Sequence, residues 1–185
     1  QRPMGVWVVS RENVVASVAT SGPAKVRFFP PPQELRRYFT TFYLAEWTVA
    51  TGGTIVDYLL PEWANLRLHS GSFPVSTTRT GSRLAGTSFP VTGPSSEALR
   101  FEIGSSRMWG IGLLPLGWAK FVGANAADFA NLAVDGFSHP AFARFSGLAQ
   151  SVFGAEPDSN SELGRIERYF LDRIDDPVAD EKRIH

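Results

Sequence analysis

The side chains best suited to chemistry in this sequence are four large aromatics and one arginine. Trp47, Tyr58, Trp63 and Trp109 combine apolar rings with hydrogen-bonding tips, and such side chains commonly line ligand cavities. Arg67 falls on a predicted strand among them, and a guanidinium can hold a carboxylate by two parallel hydrogen bonds. These five residues form the candidate ligand-binding set.

Two alternatives stay open for this set. The four rings can serve only as core, because each buries a large apolar area. Leu66 and Leu68 flank Arg67 on the same strand, and if they take the core side, the alternation of a strand turns Arg67 outward.

Metal and acid–base chemistry find little support. A transition metal needs three or more converging ligands, whereas His69, His139 and His185 are far apart in the sequence. We therefore expect no metal site, no catalytic residue and no cofactor. His69 is expected at a solvated position on a strand face.

Other common motifs are incomplete. The run GIGLLPLG (110–117) has two glycines of a dinucleotide-binding pattern but not the third, and no strand–helix–strand unit surrounds it. The sequence contains neither a Gly-x-Ser-x-Gly elbow nor a phosphate-binding Gly-Lys-Ser/Thr loop. Asp57 and Glu62 are expected to be solvated surface carboxylates.

Composition sets broad limits. The 185 residues have a formal net charge of zero and no cysteine, so disulfides and thiolate metal sites are excluded. Residues 1–155 carry 13 Lys and Arg against 9 Asp and Glu, whereas residues 156–185 carry 5 against 9. The acidic last segment argues against phosphate binding by this chain itself. No apolar run reaches the roughly 20 residues that span a bilayer.

The elements that must position these side chains are mostly strands. Two short strands are expected in the stretch GVWVVSRENVVASVA, and others near 25–29, 38–50, 64–69, 87–92, 98–103 and 107–114. Turns rich in Gly, Ser, Thr and Pro separate them, which favours an antiparallel barrel or jelly roll. Gly52-Gly53 predicts a hairpin that joins the strand at 38–50 to TIVDYLL.

Helices are predicted after residue 114. Trp118, Phe121 and Val122 recur at helical spacing, and Gly123 can end that turn in a left-handed conformation. A second helix is predicted to begin at Ser138, and a third at Ser159 with Glu162 as its capping box. Their apolar stripes contain Phe142, Phe145, Leu148, Ala149 and Val152, and Leu163, Ile166, Phe170 and Ile174.

The order of these segments resembles a known family. LRRYFTTFYLAEW is followed by LLPEWANLRLHSG, a Gly93-Pro94 turn, GIGLLPLGWAKFVG and finally the helices FSGLAQSVFG and IERYFLDRI. Over about residues 35–175 this is similar to the N-terminal domain of AraC-type transcriptional regulators. The resemblance implies a cupin-like antiparallel β-barrel or jelly roll at 4–114, a helical dimerisation lobe at 115–175, and the start of a linker at 176–185.

The resemblance also implies a function. The chain is expected to be a cytoplasmic effector-sensing and dimerisation domain that binds a small-molecule effector, forms a homodimer and does not enter a membrane. Contact with DNA would come only through a C-terminal domain that this sequence lacks; it begins with Gln1 and ends in a charged stretch, as a fragment would. Two other functions stay open, a small cupin-like enzyme and an effector-free protein-interaction module. The predicted dimer interface uses one residue set: Phe142, Phe145, Leu163, Ile166 and Phe170.

Overall fold

The structure, a computed structural model, describes residues 18–21 and 24–177. Its strands are β1 Val18–Ser21, β2 Ala24–Phe29, β3 Phe39–Trp47, β4 Ile55–Leu59, β5 Asn65–Gly71, β6 Val75–Thr77, β7 Arg83–Leu84, β8 Pro90–Thr92, β9 Leu99–Ile103, β10 Ser106–Leu113 and β11 Ala133–Asp135. The described chain is therefore mainly β, with most of its helices after β10, which confirms the predicted class at this level. Of the two strands predicted in GVWVVSRENVVASVA (5–19), residues 5–17 lie outside the described residues, as does the predicted linker (176–185) from residue 178 on.

The strands form two antiparallel sheets. The larger sheet has the order β1-β2-β3-β10-β5-β8-β11, and the smaller has the order β4-β9-β6-β7. Trp47 and Met108 of the larger sheet pack against Phe101 and Ile103 of the smaller one, so the sheets lie face to face. Within the described residues they remain two open sheets and do not close into a barrel.

The helices cover the other face of the larger sheet. They are α1 Pro115–Gly117, a π-turn at Trp118–Val122, 3-10 turns at Gln33–Leu35, Ala126–Phe129 and Pro140–Phe145, α2 Ser146–Ser151 and α3 Ser159–Leu171. Gly123 ends the π-turn with φ +71° and donates its N–H to the Trp118 carbonyl at 3.0 Å. The predicted left-handed end is confirmed.

The cap of α3 differs from the prediction. Asp158, one residue before the expected cap, accepts the N–H groups of Asn160 and Ser161 at 3.1 and 3.2 Å. Glu162 accepts the N–H of Asp158 at 3.3 Å, but its carboxylate is buried against the larger sheet. The capping role is thus combined with a contact to the core.

The hairpin predicted at Gly52-Gly53 is wrong. β3 pairs with β2 and β10, whereas β4 pairs with β9 in the other sheet. Gly52 has φ +76°, and the Gly53 N–H closes a tight turn on the Ala50 carbonyl at 2.8 Å. The turn chemistry was recognised, but the turn carries the chain from one sheet to the other.

The prediction of a helical segment after residue 114 is only partly correct, because this segment also contains a strand. β11 lies within it and pairs antiparallel with β8, at the edge of the larger sheet. One apolar core also joins the two predicted regions, since it contains Leu66 and Ile111 from the sheet together with Phe145 and Ile166.

That core accounts for the predicted dimer interface. Phe142, Phe145, Ile166 and Phe170 are at most 1% exposed and pack within one chain, with Leu163 partly buried against the same cluster. The structure assigns these side chains to the intramolecular core. The homodimer and its interface stay predictions.

Candidate functional site

The face of β5 that lies between the two sheets is polar. Leu66 and Leu68 point to the helices, so the strand alternation turns Asn65, Arg67 and His69 toward the smaller sheet. Arg67 is only 4% exposed and His69 only 7%. The expectations of an outward Arg67 and a solvated His69 are both wrong, because the second sheet covers the face that the prediction left to water.

Arg67 is held by two neighbours. Its Nη1 donates to the Thr92 hydroxyl at 2.7 Å, and its Nη2 donates to Oε1 of Glu62 in a close ion pair. The second carboxylate oxygen of Glu62 accepts from Nδ2 of Asn65 at 2.8 Å, and Tyr43 donates its hydroxyl to the Asn65 side-chain oxygen at 3.3 Å. Five side chains thus form one connected polar cluster.

Burial and charge act in opposite directions in this cluster. Burial opposes the positive charge of Arg67, but Glu62 and Tyr43 together more than offset it and raise the pKa of Arg67. Burial also raises the pKa of Tyr43 to about 12, so its hydroxyl stays protonated as a donor. Removing one partner of a buried ion pair leaves the other charge buried and unpaired, which strongly lowers the stability of the fold. The buried Arg67 therefore requires an anionic partner.

His69 lies two residues from Arg67 on the same face. Ser106 donates its single hydroxyl proton to the Ser70 carbonyl at 3.2 Å, so Nδ1 of His69 is the donor in its 3.3 Å contact with Ser106. Within the described part of the chain, Nε2 of His69 and Nε of Arg67 are buried without a hydrogen-bond partner. Packing alone does not satisfy the hydrogen-bonding capacity of these two nitrogens.

The burial of His69 predicts a specific acid sensitivity. Burial, with the Arg67 charge second, lowers the pKa of His69 from 6.5 to about 3. Above pH 6.5 the imidazole is neutral in both states, and below it only the unfolded chain gains the proton, so stability falls as the pH drops from about 6.5 toward 3. At pH 5 this cost is about 2 kcal/mol.

The measurement is urea unfolding at pH 7.5 and pH 5.0 for the wild type and for His69→Asn, whose amide can keep the donor to Ser106. The wild type should lose about 2 kcal/mol more than the variant between the two pH values. Equal losses in both proteins would show that His69 does not carry this dependence.

A small cavity adjoins the cluster. It has a volume of about 20 Å³, and Glu62 and Thr92, the two side chains that hold Arg67, form part of its wall. Leu59, Leu60 and Leu99 line the cavity together with Arg79 and Glu97, which form an ion pair at 3.2 Å. The cavity is large enough for about one water molecule.

The structure does not bring the five predicted ligand residues together. Trp47 packs on Phe101 between the sheets, whereas Trp109 is buried on the helical side. Tyr58 and Trp63 are about half exposed, at 53% and 52%. Of the five, only Arg67 belongs to the polar cluster.

Sequence reasoning missed the other four members of the cluster or assigned them to solvent, namely Glu62, Asn65, Thr92 and Tyr43, and it also assigned the neighbouring His69 to solvent. A signal was present, because polar residues recur at every second position of NLRLH, the period of one strand face. Within the residues that the structure describes, no three His, Asp or Glu side chains converge as a metal site would require.

Comparison with protein-family models finds no match, and comparison with curated protein sequences finds no significant one. In the described ranges, no helix has the length and apolar character to cross a membrane.

Proposed function

We propose that this chain is the effector-sensing domain of an AraC-type transcriptional regulator, with a cupin-like jelly roll as its β-domain. The observation that carries the proposal is the buried Arg67 cluster between two antiparallel sheets, beside a cavity. The resemblance in segment order and the helices packed on the outer face of the larger sheet support the same assignment. Under this proposal the protein acts in the cytoplasm and reaches DNA through a further domain.

The cluster has the character of a binding site rather than of a site for proton transfer. Its carboxylate, Glu62, is occupied by Arg67 and Asn65. The neighbouring His69 is a weak base, because burial lowers its pKa to about 3, and a general base works best with a pKa near the working pH. We therefore propose binding without turnover.

A route from the cluster to the helices is also present. β10 pairs with β5, and on the face opposite the cluster it carries Arg107 and Trp109, which both bind Glu162 of α3. A ligand that changes the position of β5 would thereby bias α3, provided that it binds one arrangement better than the other.

The test has two parts. A thermal-shift screen of small carboxylates and aromatic compounds should yield a ligand. Calorimetry should then show that one ligand molecule binds per chain. Arg67→Met should abolish this binding, and Arg168→Met, a change at an exposed position of α3, should not.

The regulatory part uses a fusion of the chain to a DNA-binding domain that recognises its operator only as a dimer. We expect the ligand to change reporter expression, and Arg67→Met to remove the response. Conversion of the ligand to a product would favour the enzyme instead, and a fold that binds no small molecule would favour the interaction module.

A further inference from the structure

Arg67 and Asn65 form a carboxylate-binding site, which the side chain of Glu62 occupies. Its Oε1 accepts from Nη2 of Arg67 and its Oε2 from Nδ2 of Asn65, so two donors hold the two oxygens of one planar group. We propose that Glu62 is an internal placeholder, and that the ligand of this domain is a small carboxylate that displaces it from Arg67 and Asn65. This inference rests on the proposed function and names the chemical class of the effector.

The two partners differ in how firmly the fold holds them. The side chain of Arg67 is 4% exposed and lies on a central strand, whereas that of Glu62 is 30% exposed and belongs to the loop between β4 and β5. The main chain at Glu62 is tied separately, since its carbonyl accepts the N–H of Ser95 at 2.9 Å. The carboxylate can therefore swing away while the loop keeps its place.

The available space leads to the same conclusion. The cavity of about 20 Å³ is too small for an organic ligand, and Glu62 is one of two wall side chains, with Thr92, that bind the Arg67 guanidinium. When the Glu62 side chain leaves, the space that it occupied joins the cavity. Nε of Arg67, buried and without a partner among the described residues, is then a further donor for the incoming group.

Charge selects the ligand. A carboxylate that replaces Glu62 leaves Arg67 paired, whereas a neutral molecule would leave a buried guanidinium without an anion, which is strongly unfavourable. The leucines of the cavity wall, Leu59, Leu60, Leu99 and Leu132, favour an apolar body next to the carboxylate. The class is thus a small monocarboxylate with an apolar portion.

Chemical rescue of Glu62→Ala tests the inference. Loss of the carboxylate should lower the melting temperature, because Arg67 is left buried and unpaired. Sodium acetate and sodium benzoate should restore it in a concentration-dependent way, and sodium chloride at equal ionic strength should not. The matched control is Glu62→Ala/Arg67→Met, which has no cation to neutralise and should show no specific response to carboxylates.

Glu62→Gln provides a second measurement, because it keeps the shape of the side chain and gives up only the charge. Removing the internal competitor should tighten benzoate binding, measured by calorimetry, about tenfold or more relative to the wild type. Equal affinity in both proteins, or rescue of Glu62→Ala by chloride as well as by acetate, would overturn the placeholder role.

The rescue needs no knowledge of the natural effector, so it separates the two proposals. If rescue fails but the screen finds a ligand, the placeholder is wrong and effector sensing stands. If rescue succeeds but the fusion reporter responds to no carboxylate, the carboxylate site stands and the regulatory function is wrong.

Discussion

Replacing Glu162 by alanine should destabilise the domain by about 3 to 5 kcal/mol. Glu162 is 1% exposed, forms a close ion pair with Arg107 and accepts the indole N–H of Trp109 at 2.7 Å. Alanine would leave the indole donor without its partner, and among the described residues Arg107 would keep one ion-pair partner, Glu46, whose carboxylate lies 3.1 Å from its Nε. The free energy of unfolding in urea measures this loss.

Two further variants make the result specific. Glu156→Gln removes an exposed carboxylate just before α3 and should change stability by less than about 1 kcal/mol. Arg107→Met/Glu162→Leu replaces both charges by apolar side chains and should recover much of the loss. A cost of less than about 1 kcal/mol for Glu162→Ala would show that α3 is held by apolar packing alone.

Phe170→Ala should cost about 3 to 5 kcal/mol, the range for removing a fully buried ring. The Phe170 ring lies 4.6 Å from that of Phe39 and 5.1 Å from that of Phe121, so it joins α3 to both the sheet and the π-turn. We expect the loss in denaturant unfolding, with no change in the molar mass measured by light scattering.

The control for this variant is Phe73→Ala, at a position that is 45% exposed, where we expect less than about 1 kcal/mol. The light-scattering result also bears on the homodimer. If Phe170→Ala converted a dimer to a monomer while the fold kept its stability, α3 would belong to the subunit interface and not to the core of one chain.

The strands were predictable where one local pattern was sufficient. The segments expected near 64–69 and 107–114 correspond to β5 and β10 within a few residues, because alternation is a property of consecutive side chains. Strand pairing is not local. Gly52-Gly53 therefore predicted the turn correctly, but the predicted pairing of the two strands that it joins, β3 and β4, is wrong. The short β11 was not predicted, because it has only three residues and lies in a segment whose sequence pattern is mostly helical.

The candidate site shows the same limit. The sequence shows the residue types of the site and singles out Arg67. It also predicts a solvent-exposed Arg67 side chain, because Leu66 and Leu68 on either side of it are expected to face the core. A strand packed between helices and a second sheet has no solvent face, and a single sequence does not show where the second sheet lies. Glu62 was predictable only as a carboxylate near a strand end, since its contact with Arg67 depends on how the loop after β4 returns to β5.

The central place of β10 has a consequence for the nascent chain. β3 and β5 are both synthesised before β10, yet each pairs with β10 and not with the other. Until β10 leaves the ribosome, both strands present unpaired edges, which are templates for association with other chains. Pairings this distant in sequence also place folding in a range of roughly milliseconds to seconds. Chains interrupted before residue 106 should therefore aggregate, so the yield of this domain depends on uninterrupted translation through its central strand.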